Sequence, residues 1–307
     1  MLRHLVPPTD PRNSYDMVPL GGLAPVTQLD DLVTRIVAPN ASPMTLDGTN
    51  TYLVGSPGSG LCVVIDPGPI DGIHLERIET ELIRMDAEVA VVLVTHHHVD
   101  HAGAARSWAS RWGCRVAAES AQVAGSDGIV LGGVGRNLRI GAINLEVVPT
   151  PGHCADHVAF RLESGSLFSG DHVLGRGTTV LMWPDGDLIA YIESLRTTLN
   201  LGSESLYPGH GPELVGEEPN AVIRYYIDHR TYRESQIIDV LLAGPASVER
   251  IVRAIYIELR GELVEVAGFS TRVCLKKMES EDRVRQLVNG EWEVVGAQYR
   301  VADTGKA

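Results

Sequence analysis

Short apolar runs that stop on a polar group, separated by turns, set the pattern of the first two thirds of the chain. Positions 32–37, 51–54, 61–66, 89–94, 114–118 and 158–162 read as strands, rich in Val, Ile and Leu. The 89–94 run is apolar at every position, as in a strand buried on both faces. Segments 137–140 and 143–148 pair as a hairpin around Gly141-Ala142, and 167–171 is a further strand. Residues 73–85 carry apolar side chains at 75, 78, 82 and 85, one face of a helix. Other helices are expected over 102–109, 188–199 and 219–242. Residues 121–136 are Gly-rich and irregular. Near the end, 247–257 and a stretch including 272–278 read as helices, and 286–295 as a hairpin with an Asn289-Gly290 turn. This order predicts an α+β chain, a sandwich of two sheets with helices outside. Residues 1–30 lack periodicity and read as an extension lying on the surface or partly disordered. The chain therefore divides into an extension over 1–30, a body over 31–218, a connecting helix over 219–244 and a small C-terminal unit over 245–307.

The polar groups that end these strands are unusual in kind. Asp66 closes one strand. Thr95-His96-His97-His98-Val99-Asp100-His101 follows the apolar 89–94 run where a strand feeds a helix. His153 sits on a Pro-Gly turn, Asp171 closes the 167–171 strand, and Leu206-Tyr207-Pro208-Gly209-His210 repeats the device. Loops at strand ends are where a rigid scaffold displays chemistry. On an extended chain His96 and His98 point the same way and His97 the other. Neutral imidazole and carboxylate suit zinc and similar divalent metals. The bland alternative, a polar turn that happens to be histidine-rich, leaves the other strand-end groups unexplained. Eight of the eleven histidines fall between 96 and 210, whereas His4, His74 and His229 lie outside and default to solvated or packing roles.

Composition narrows the classes. The 44% apolar and 21% charged fractions are those of an ordinary soluble chain. The net charge of −13 argues against a polyanion binder. Cys62, Cys114, Cys154 and Cys274 form no C-x-x-C pair, which suits free thiols in a reducing, cytoplasmic compartment. No stretch is apolar enough to serve as a signal peptide or to span a membrane, so no membrane partner is expected.

His96-x-His98-x-Asp100-His101, Gly152-His153, Gly170-Asp171 and Gly209-His210-Gly211, in this order, resemble the metallo-β-lactamase superfamily. The resemblance spans roughly 33–215 and implies a four-layer αβ/βα sandwich with a dinuclear zinc site at its edge. Position by position, it implies one metal on His96, His98 and His153 and a second on Asp100, His101 and His210, with Asp171 bridging. Asp66 resembles the aspartate that supports these ligands. Manganese or iron would suit the same set. Asp100 in place of a cysteine resembles the hydrolase branches beyond the drug-resistance enzymes. A closer resemblance is to the lactamase-β-like 2 family. It rests on Gly170-Asp171-His172-Val173-Leu174-Gly175, Pro184-Asp185-Gly186-Asp187-Leu188 and Tyr226-Ile227-Asp228-His229-Arg230, and it implies that the C-terminal unit is a winged helix. This chain departs from it after His153, where the family commonly has Thr at 154 and Asp at 155.

The expected chemistry is hydrolysis. Two divalent ions about 3.5–4 Å apart lower the pKa of a shared water toward about 7. The hydroxide attacks an ester, thioester or lactone carbonyl, and Asp100 orients it as the catalytic carboxylate. His157 and His172 either contact substrate or are buried and hydrogen-bonded. His97 and Cys154 read as structural. His229 and Arg230 lie on a solvated or interdomain face, or form an anion-binding edge. The partner is then a small-molecule or carrier-bound substrate. The alternative is a single-strand-specific endoribonuclease, with RNA as partner, which the lactamase-β-like 2 resemblance implies for some relatives. RNA cleavage would want a basic groove, and 245–307 carries ten Lys+Arg against ten Asp+Glu. A lid or pocket wall is the favoured role for the winged helix. A metal-dependent oxygenase and a non-catalytic regulator are opposed by the complete ligand set.

Overall fold

The computed structural model describes residues 5–15, 17–133 and 137–296. Its element order opens with β1 (Val26–Gln28), β2 (Val33–Val37), β3 (Asn50–Val54), β4 (Gly60–Ile65), α1 (Gly72–Met85) and β5 (Ala87–Leu93). Next come α2 (Val99–Ala102), α3 (Ala105–Trp112), β6 (Arg115–Ala118), α4 (Ala121–Ala124), β7 (Ile129–Val130), β8 (Asn137–Ile140) and β9 (Ile143–Pro149). The body finishes with β10 (Val158–Leu162), β11 (Leu167–Gly170), α5 (Leu188–Leu201), β12 (Ser205–Pro208), β13 (Leu214–Val215) and α6 (Glu218–Leu242). The C-terminal unit is α7 (Val248–Ile255), α8 (Glu262–Ser280), β14 (Val284–Gln286) and β15 (Trp292–Val294), a winged-helix order.

Strands β1 to β7 form one sheet in chain order, antiparallel up to β4 and parallel from there. The second sheet runs β13-β12-β11-β10-β9-β8. The two pack face to face through Tyr52, Ile65 and Leu93 from one side and Val147, Phe160 and Phe168 from the other. The outer face of the first sheet buries Leu53, Val64 and Val92 against Ile78 and Leu82 of α1 and Trp108 of α3. Val148, Ala159 and Leu167, on the outer face of the second sheet, meet Leu201 of α5. This is the expected four-layer arrangement. Leu195 of α5, Tyr226 and Leu241 of α6, Ile251 of α7, Leu275 of α8 and Trp292 of β15 share a single core. The winged helix is thus fused to the body by apolar packing.

Three sequence expectations need correction. Residues 26–28, placed in the extension, form β1 by pairing with β2 from Val26↔Ile36 to Gln28↔Thr34, and Arg12 is buried. A short edge strand needs partner hydrogen bonds, not periodicity, so it leaves no pattern. Residues 121–136 are not wholly irregular. Ser120 caps α4 by accepting from the Val123 N–H, and β7 pairs with β6; residues 134–136 lie outside the described residues. The helix expected over 102–109 is two, α2 and α3, parted at Gly103-Ala104. The expectations for 297–307 and for His4 fall outside the described residues.

Candidate metal centre

Every strand-end group singled out above lies at one edge of the sandwich. His96 and His98 leave β5 in extended form and face one another, Nε2 to Nδ1, at 3.0 Å. His153 Nε2 is also 3.0 Å from His98 Nδ1. Asp100 and His101 follow on α2, where the chain has begun to turn. His210 Nε2 lies 3.3 Å from His101 Nε2 and 3.2 Å from Asp100 Oδ2. Asp171 sits between the two groups. Its Oδ1 is 3.4 Å from both His101 and His210, and its Oδ2 is 3.6 Å from His153. His97 turns away, to Asp156 at 2.7 Å and Asp185 at 3.6 Å.

The hydrogen bonds behind these side chains set which nitrogen carries the proton. Asp66 accepts from the Thr95 N–H at 2.8 Å, from Thr95 Oγ1 at 2.7 Å and from His101 Nδ1 at 2.8 Å. The Thr95 hydroxyl is thereby left to accept from His96 Nδ1 at 3.0 Å. His153 Nδ1 donates to the Val180 carbonyl at 2.8 Å, and His210 Nδ1 to the Gly48 carbonyl at 3.1 Å. With these rings donating outward, Nε2 of His96, His101, His153 and His210 points inward, ready to present a lone pair wherever it carries no proton. Asp171 Oδ1, buried, has no hydrogen-bond donor. A pocket of carboxylates and inward ring nitrogens crowded in this way calls for positive charge, a proton or a metal ion. Cβ atoms would also fill it: one on Gly209 would fall 2.5 Å from Asp171 Oδ1, and one on Gly170 2.7 Å from Thr95 Oγ1. The residues present therefore fit divalent metal.

Electrostatics divides the two halves. Burial, with neighbouring imidazoles, pushes His98 down to about 4 and His96 and His153 below their usual range. That half is neutral. In the other, burial is outweighed by carboxylates. Asp100, Asp171 and Asp66 raise His101 far up, and Asp171 and Asp100 raise His210 to about 9. Asp100 and Asp171 are held below the usual carboxylate range despite burial, chiefly by His101 and His210. This half is built around positive charge, proton or metal.

His157 and His172 lie behind this shell. His157 donates to Thr150 Oγ1 at 2.7 Å and accepts the Asp171 N–H at 3.1 Å, so it steadies the Asp171 backbone. His172 is buried, 3.0 Å from Thr198 Oγ1. Neither ring reaches solvent, and the substrate-contact alternative gives way to the hydrogen-bonded one. Cys154 is buried beside Asp156, and burial drives its thiol pKa far up, which keeps it protonated. Arg230 of α6 is buried and donates to the Thr179 carbonyl; it is an interdomain residue, not an anion-binding edge. Sequence reading assigned no role to Thr95, Gly48 or Val180. Thr95 was discoverable, since a hydroxyl beside a ligand can reach its ring. The two carbonyls carry no side-chain signal.

Residues 44–129 match the Metallo-beta-lactamase superfamily, and residues 247–292 match the Beta-lactamase associated winged helix domain. The chain is similar to the Beta-lactamase-like protein 2 homolog of Drosophila melanogaster, 36% identical over 85% of this chain and 92% of the relative. It is also similar to the Lactamase-like protein aptB of Emericella nidulans, 33% identical over 83% of each chain. Among solved structures, a beta-lactamase domain protein from Burkholderia ambifaria shares the fold at TM-score 0.75 and 20% identity, over 92% of this chain and 96% of that one. A metallo-beta-lactamase family protein from Thermus thermophilus does so at TM-score 0.72 and 19% identity, over 87% of this chain and all of the other, at 100%.

Proposed function

We propose that this chain, which belongs to the metallo-beta-lactamase superfamily and is a hydrolase of that fold, cleaves an ester, thioester or lactone carbonyl on a small or carrier-bound substrate in the cytoplasm. The observation that carries this reading is the pocket into which four ring nitrogens, each on a ring bonded outward through Nδ1, and the unpartnered Asp171 Oδ1 converge. His96, His98 and His153 would hold one ion and Asp100, His101 and His210 the other, with Asp171 between them. Zinc suits this nitrogen and oxygen set, and manganese or iron would be accepted. When bound, two such ions supply an activated water and polarise the carbonyl. Asp100 has the more exposed side chain of the two carboxylates, 24% against 12% for Asp171, and orients the incoming water on the open side.

Beside the centre lies a cleft of about 560 Å³, lined by His97, Val99, Arg106, Ser120, Asp156 and Asp185. Its lining sets two carboxylates, Asp156 and Asp185, against one guanidinium, Arg106, a balance that favours an acyl substrate over a phosphodiester backbone. The four cysteines are unpaired, which suits a reducing compartment.

The test is turnover of a thioester and ester panel beside a fluorescent single-stranded RNA, with Asp100→Ala and a chelator as controls. Acyl hydrolysis that both controls abolish, with RNA intact, is expected. RNA cleavage lost in both controls would replace this reading with the ribonuclease one. Hydrolysis that survives Asp100→Ala would overturn the mechanism.

A further inference from the structure

The segment expected to lie loose on the surface is clasped to the loops that carry half the centre. Arg12 is 5% exposed and donates to the carbonyls of Leu174, at 2.9 Å, and Gly177. Asp10 holds the guanidinium at 2.9 and 2.7 Å, so the buried charge is paired. In return, Arg176 donates to the Val18 carbonyl and, at 2.9 Å, to Asp47. The other oxygen of Asp47 accepts the Gly21 N–H at 2.7 Å.

The two loops fastened in this way grip His210. The Gly175 N–H donates to the His210 carbonyl at 2.9 Å, and the Gly48 carbonyl takes the His210 ring proton at 3.1 Å. Thr49 Oγ1 lies 3.4 Å from Asp100 Oδ2. The far end of the 172–187 loop is held by other elements. Arg230 bonds the Thr179 carbonyl, and Ser270 Oγ donates to the Leu181 carbonyl at 3.0 Å. Between them lies Val180, the partner of His153.

Resting on the metal-centre reading above, we propose that residues 10–15 and 17–22 form a strap that sets the Asp100–His101–His210 subsite, with Arg12 and Arg176 as its positioning residues. The subsite holding His96, His98 and His153 does not depend on it.

The experiment is a stepwise cobalt(II) and zinc titration of the full chain, with metal content measured after dialysis. Wild type is compared with Arg12→Ala, Arg176→Ala and Arg12→Lys. One binding step is expected to weaken by about 10–100-fold in both alanine variants. The other step holds, and Arg12→Lys falls between. Arg176→Ala probes the same link should Arg12→Ala fail to fold. Two unchanged steps in the alanine variants would overturn the strap and leave the metal centre standing, as would equal weakening of both steps, the mark of general loosening. A wild type that takes up no metal would overturn both readings.

Discussion

Asp66 shows how much one side chain decides here. Its backbone takes φ 50°, left-handed and tolerated by aspartate, and its two oxygens accept three hydrogen bonds from Thr95 and His101. Asp66→Asn would set an amide donor against the His101 N–H and favour the wrong tautomer. Metal affinity is expected to fall about 10–100-fold with the fold intact, read by titration beside circular dichroism. Gly209→Ala is expected to abolish binding in one subsite, since its Cβ would lie 2.5 Å from Asp171 Oδ1. Protons compete with metal in the same place. With His101 raised far up and His210 to about 9, binding displaces their protons at neutral pH, so affinity should drop at least about tenfold per unit as pH falls from 8 to 6. A chelator competition across that range measures it. The residues brought together here were legible because each stands at the end of an apolar strand. Their partners were not, because carbonyls such as those of Gly48 and Val180 are placed by the fold and not by residue type.

At the scale of elements, α1 buries a neutral histidine and α6 carries a half-buried one. His74 in α1 lies against Thr51 Oγ1 at 2.8 Å, and burial lowers it to about 4. His229 in α6 is lowered to about 3 by burial and by Arg230 and Arg233. Below the unfolded value of 6.5, the unfolded chain takes protons that the folded chain refuses. Stability is therefore complete above 6.5 and is lost as pH falls toward 4, with His74 costing on the order of 2 kcal/mol by pH 5 and the half-buried, better solvated His229 less. Denaturant midpoints at pH 7.5 and 5 should show the loss, and His74→Gln should blunt it. The long helices were legible from capping residues and a 3.6-residue period: Asp71 accepts from the His74 N–H, and Asp187 from those of Ile189 and Ala190. Short pieces such as β1, α2 and α4 were not, because their stability comes from partners distant in sequence.

For the whole molecule, the shared core joining α5, α6, α7, α8 and β15 makes the body and the winged helix one cooperative unit. A single calorimetric transition is expected. Leu275→Ala, at a position of 0% exposure, should lower stability by about 2–5 kcal/mol and shift that whole transition instead of melting one part early. Among the described residues no helix is long and apolar enough to cross a membrane. The 172–187 loop touches both halves of the centre, His210 through Gly175 and His153 through Val180, and is held by Arg12 at one end and by Arg230 and Ser270 at the other. That arrangement imposes an order in time. A chain emerging from the ribosome can close its two sheets and align most of its histidines before α8 exists. The hydrogen bond from Ser270 to the loop is added only once α8 has been made. The last support of the centre thus comes from the far end of the chain, and a chain cut short before residue 270 would lack it.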